Sequence, residues 1–77
     1  MKLDEYQIQK HNSISDNLFV YSDRMARLRK NAEFIDEKHY ASEVSNILDH
    51  LADLVKDMKE LEKYSWEKET ETHHEFN

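Results

Sequence analysis

Residues 14–35, ISDNLFVYSDRMARLRKNAEFI, and residues 40–61, YASEVSNILDHLADLVKDMKEL, decide the fold. In the first stretch Ile14, Leu18, Tyr21, Met25, Leu28, Ala32 and Ile35 recur at alternating spacings of four and three. In the second, Tyr40, Val44, Ile47, Leu51, Leu54, Met58 and Leu61 keep the same rhythm, widened by Leu48 and Val55. This is the a/d pattern of amphipathic helices with one buried stripe each. Phase separates one rod from two helices. Leu28 and Ile47 are both d positions, and at about 3.5 residues per turn their separation leaves a remainder of roughly 150°. A continuous helix would point its two stripes in nearly opposite directions, whereas a break within Asp36-Glu37-Lys38-His39 lets them face each other. Asp36 is then a suitable N-cap for the second helix.

The sequence therefore predicts an all-α protein, an antiparallel helical hairpin with long helices over residues 13–35 and 39–66. Ser13 and Asp16 have the spacing of a capping box and set the predicted start of the first long helix. Leu3, Tyr6 and Ile8 before it suggest a short N-terminal helix or arm, which as a third packing helix would make a monomeric three-helix bundle. Residues 1–66 form one expected domain. Residues 67–77, acidic and without apolar period, form an expected disordered tail.

Composition narrows the class. The chain has 77 residues, net charge −6, and no Gly, Pro or Cys. Without Gly and Pro the chemistry of tight hairpin turns is missing, so strands are not expected. Without Cys there are no disulfides and no thiolate zinc site. No apolar run approaches the roughly 18 residues of a membrane span, and the first residues do not resemble a signal peptide. The expected setting is cytoplasmic, with no membrane partner. Fourteen seam positions make a thin core for a chain this short, and pairing two hairpins into a four-helix bundle would bury the flanks of both stripes. A homodimer is expected.

Charge is uneven. Residues 13–35 carry four basic and three acidic side chains, residues 36–64 four basic and eight acidic. Phe19, Val20 and Phe34 on the first long helix lie off its seam, with Arg24, Arg27 and Lys30 among them. Apolar residues rimmed by Arg have the composition of a binding hot spot. Phe19, Val20, Arg24, Arg27 and Phe34 are thus the candidate partner-binding residues. A purely structural account competes: the N-terminal segment folds over this face, or a dimer buries it.

Other patterns have a structural reading beside the chemical one. Asp49, Asp53 and Asp57 stand four apart beside His50, which suits a solvated face as well as metal ligation. Asp36-x-x-His39 and Glu71-x-x-His74 echo the spacing of di-iron bundles, but the inward a and d positions are apolar. No metal site, cofactor or catalytic residue is assigned, and no phosphate loop exists without Gly. Arg24, Arg27, Arg29 and Lys30 inside a helical hairpin resemble in outline the plasmid copy-number proteins that clamp paired RNA loops as hairpin dimers. That resemblance covers residues 14–61 and implies RNA binding by the first helix; pairing of these cations with the acidic second helix is the alternative. Ser45-Asn46-Ile47-Leu48-Asp49 resembles the Ser-Gln-x-Leu-Asp signature of small sporulation-control phosphatases, with Asn46 in place of Gln. It implies that Asn46 and Asp49 act on a phosphorylated response regulator.

The functional expectation is a small non-enzymatic interaction module: a dimeric regulator, adaptor or inhibitor, of phage or plasmid type, that docks an unidentified protein. RNA binding and aspartyl-phosphate hydrolysis are the alternatives.

Overall fold

Asp4 starts the first helix. In the computed structural model, which describes residues 2–75 with side chains to residue 70, α1 spans Glu5–Lys30 and α2 spans Glu37–Glu75. The Asp4 carboxylate accepts the Gln7 N–H at 2.8 Å, while Gln7 Oε1 accepts the Asp4 N–H at 2.9 Å. This reciprocal capping box satisfies donors that a bare helix end leaves orphaned. The expected start at Ser13 is corrected, because the helix runs unbroken through Ser13 and Asp16. Residues 5–12 are the first turns of α1 and not a separate third helix. The heptad continues through them, but with Gln7 on the buried stripe in place of an apolar side chain.

The chain reverses without glycine because, among the described residues, no backbone φ is positive. Asn31 N–H is shared between the carbonyls of Arg27 and Leu28 at 3.2 Å each, and Asn31 O accepts from Phe34 N–H at 2.9 Å and from Ile35 N–H at 3.0 Å. Arg27, Arg29 and Lys30 sit in the last turn of α1, where the helix dipole favours positive charge. Asp36 then caps α2: its Oδ1 accepts the His39 N–H at 2.8 Å, and its Oδ2 lies 2.7 Å from His39 Nδ1. The break thus falls at residues 31–36, ahead of the expected 36–39, and the N-cap is the expected one.

The helices run antiparallel, as their ties show. Gln7 Nε2 donates to Ser65 Oγ at 2.9 Å, Lys10 faces Asp57 at 3.6 Å, and Arg24 meets Glu43 at 3.2 Å. Ile14, Leu28, Ile47 and Leu54 are the buried apolar residues, and Tyr21, Val44, Leu51 and Leu61 are half-buried around them. α2 outruns α1, and Lys68 lies level with Asp4. The expected second helix ended at residue 66; α2 is helical to Glu75, with a Lys63–Glu67 pair at 4.0 Å on the way. Part of the expected tail, residues 76 and 77, falls outside the described residues.

The hairpin measures 62 × 17 × 13 Å. A helix with side chains is about 10–12 Å across, so the molecule is two helices wide and one thick. Each helix has a single neighbour, and the apolar residues that face away from it stay in water.

Candidate functional site

The two long edges of the hairpin differ in chemistry. With Leu28 and Ile47 at d, one edge carries the g positions. Arg24 and Glu43 pair there, as do Lys10 and Asp57. Tyr21 stacks on His50 with ring centroids 5.0 Å apart, and the Arg24 guanidinium lies 5.9 Å over the Tyr21 ring. At the open end Tyr6 packs on Tyr64 at 4.7 Å. The Asp4 carboxylate there accepts from the Tyr64 hydroxyl and the Lys68 ammonium.

This last cluster holds most of the perturbed titration. Lys68, then the Tyr64 hydroxyl and the Gln7 N–H, hold the Asp4 carboxyl down at about 2. The same carboxylate raises Lys68 and, helped by partial burial, Tyr64. Asp36 is lowered by the His39 N–H and ring. Capping and cross-helix ties account for the shifts of all four groups.

The opposite edge carries the e positions and is apolar. Leu18 and Met25 of α1 and Leu48, Val55 and Met58 of α2 are exposed along it. A groove of about 330 Å³ opens between the helices there, lined by Ile14, Leu18, Met58 and Leu61 and edged by His11 and Glu62. Further along, Trp66 is also exposed.

The heptad frame explains this asymmetry. Over residues 6–28 the charged residues are Lys10, Asp16, Asp23, Arg24 and Arg27; over residues 40–58 they are Glu43, Asp49, Asp53, Lys56 and Asp57. Every one occupies c, f or g. Positions b and e hold Ile8, Asn12, Ser15, Phe19, Ser22 and Ala26 on α1, and Ala41, Ser45, Leu48, Ala52 and Val55 on α2. A two-stranded coil usually charges both e and g; a bundle helix widens its apolar face to one of them. Phe19 stands out in the sequence as an off-seam apolar residue, but the strip does not, because half of it is Ser and Ala.

The five expected partner-binding residues do not form one patch. Val20, Arg24 and Arg27 share the g-side flank of α1, where Arg24 is held by Glu43 and Arg27 by Asp23 at 2.9 Å. Phe19 points away from α2, at 74% exposure, beside the uncharged strip. Phe34 sits at 86% exposure in the turn beyond the end of α1, which is itself about 17 Å along the axis from Phe19 at 1.5 Å rise per residue. Leu3, Tyr6 and Ile8 are themselves exposed and cover none of these residues.

Four members of the sequence patterns that echo metal ligation have structural partners. Asp57 turns to Lys10, His50 stacks on Tyr21, and Asp36 with His39 forms the α2 cap. Among the described residues no group of three or more His, Asp or Glu converges as a metal site. The side chains of Glu71 and His74 lie outside the described residues. Asn46 and Asp49 are exposed on the outer side of α2. Among the described residues no helix is long and apolar enough to cross a membrane. No protein-family model, curated protein or solved structure matches the chain.

Proposed function

We propose that this protein is a non-enzymatic, dimeric protein-interaction module, a regulator, adaptor or inhibitor acting in the cytoplasm. One observation carries the reading: among the described residues four apolar side chains are buried, while thirteen large hydrophobic residues are exposed. Single exposed hydrophobics are ordinary, but contiguous ones mark surfaces made for contact. The turn residue Phe34 and the Val20–Arg27 flank are the elements offered to a foreign protein. An exposed aromatic at the tip of the turn has the side-chain type enriched at binding hot spots.

RNA binding is the weaker reading. Arg24 and Arg27 are paired with carboxylates, and Arg29 and Lys30 lie by the carbonyl end of α1. A basic face must keep its cations available to phosphates.

The test is affinity capture from host lysate with the full chain, wild type and Phe34→Glu, each with and without RNase. A protein retained by wild type, lost with Phe34→Glu and indifferent to RNase supports the reading. Capture of RNA alone, or of nothing, overturns it.

A further inference from the structure

We propose that a second copy of this chain docks on the uncharged e/b strip, so that two hairpins stack face to face as a four-helix bundle. This deepens the dimer reading above by naming its surface.

Area argues first. The chain exposes 6854 Å², whereas a compact monomer of 9.3 kDa exposes about 5,000 Å². The excess of about 1,900 Å², to which the overhang of α2 beyond Lys68 contributes, exceeds the roughly 800 Å² that each partner contributes to a standard stable interface. A structure 13 Å thick lacks the second layer against which helices bury their apolar faces.

Charge argues for which face. The g edge is closed by the Arg24–Glu43 and Lys10–Asp57 pairs. Docking there would strip water from both pairs, and the desolvation penalty rivals their attraction. The e/b strip carries no Asp, Glu, Lys or Arg over residues 6–28 and 40–58, and Glu62 stands at the His11 end of its groove. Covering it desolvates few polar groups and buries Leu18, Met25, Leu48, Val55 and Met58.

Shape argues for a second copy over a foreign helix. The strip spans both helices and runs for about 30 Å at 1.5 Å per residue. A lone helix would fill the central groove and leave both outer flanks wet. A hairpin of the same width and length covers all of it. In a two-fold dimer the same patch must serve both sides. The strip meets that demand by mixing bulky residues with small ones (Ser15, Ser22, Ala26, Ala41, Ala52) that admit a neighbouring side chain.

The experiment uses the full chain and exploits its lack of cysteine. Light scattering at 100 µM is expected to give twice 9.3 kDa for wild type. Ala52→Glu and Ser22→Glu replace residues exposed in the single hairpin and are expected to raise the dimer dissociation constant on the order of 100-fold or more, since each buries an unpaired charge. Asn46→Glu, at an outer c position, leaves it within about threefold.

A second readout does not depend on those variants folding. Single cysteines at Ser22 and Ala52 are expected to resist maleimide at high protein concentration and to react on dilution, while a cysteine at Asn46 reacts equally at both. A dimer in which Ala52→Glu and Ser22→Glu still associate, with both thiols open, overturns the e/b assignment and leaves the dimer reading standing. A 9.3 kDa wild-type particle at 100 µM overturns both. A strip filled by a foreign chain would show as monomer in isolation and thiol protection only with that chain added, and this too overturns self-docking.

Discussion

The Asp4 carboxylate accepts a hydrogen bond from the hydroxyl of Tyr64, sixty residues along the chain. The same side chain caps α1 through the Gln7 N–H. Helix start and hairpin closure therefore depend on one charge. Removing it should loosen the end turn of α1 and the α2 segment opposite together.

That coupling predicts an acid transition. The folded Asp4 pKa of about 2 lies below the ordinary aspartate value of 3.8, so the carboxylate contributes stability that is fully present above about pH 4 and is lost as pH falls towards 2. Thermal melts of wild type and Asp4→Asn followed by circular dichroism should differ most at pH 5 and converge near pH 2. Parallel curves across that range would show that Asp4 is not the titrating group. Lys68 works in the opposite sense: its pKa is raised by Asp4, so its share persists through neutral pH and fades only as pH climbs through its folded value.

Among the described residues Gln7 is the buried polar residue of the seam, and both ends of its amide are used. Nε2 donates to Ser65 Oγ at 2.9 Å, and Oε1 accepts from Asp4 N–H at 2.9 Å. Gln7→Ala removes the cross-helix bond and half of the capping box, a loss of about 1–2 kcal/mol. Gln7→Leu should cost less, because Ser65 still donates to Leu61 O at 2.8 Å and the stripe gains an apolar side chain. Urea titration of both variants checks the order; equal losses would mean that an apolar side chain at this position adds nothing to the seam.

Adjacent residues on α2 separate hairpin from assembly. Ile47 is 2% exposed and Leu48 is 62% exposed. Ile47→Ala should destabilise by about 2–5 kcal/mol at any protein concentration. Leu48→Ala should act mainly on association, flattening the dependence of the thermal midpoint on protein concentration. If Leu48→Ala shifts the midpoint equally from 1 to 100 µM, Leu48 belongs to the hairpin alone.

How far the fold is legible in the sequence can be told residue by residue. The phase between Leu28 and Ile47 reveals two helices, because rotation per residue is a strong constraint even where turn residues are absent. The beginning of α1 is hidden because Gln7 holds a seam position through hydrogen bonds that an apolar pattern cannot register. The turn is misplaced because Ala32 and Ile35 keep the three-and-four spacing after the helix has ended, in a turn that never leaves right-handed backbone. The apolar strip hides for a subtler reason. It consists as much of missing charge as of added hydrophobicity, and Ser15, Ser22 and Ala52 draw no notice until placed on one edge.

Phe34 gives the sharpest separation of stability from recognition. Its ring is 86% exposed in the turn between the helices, while the backbone around it is held by Asn31 O and by the Asp36 cap. Asp36→Ala should therefore lower the thermal midpoint by removing the N-cap of α2, whereas Phe34→Glu should move stability by no more than about 0.5 kcal/mol. Under the interaction-module reading the two variants invert in binding: Phe34→Glu loses the captured protein, and Asp36→Ala keeps it at temperatures below its midpoint. Paired melts and capture assays on the two variants decide the point. A Phe34→Glu protein that unfolds would place the ring in a packed interface, and one that still binds would move the docking surface away from the turn.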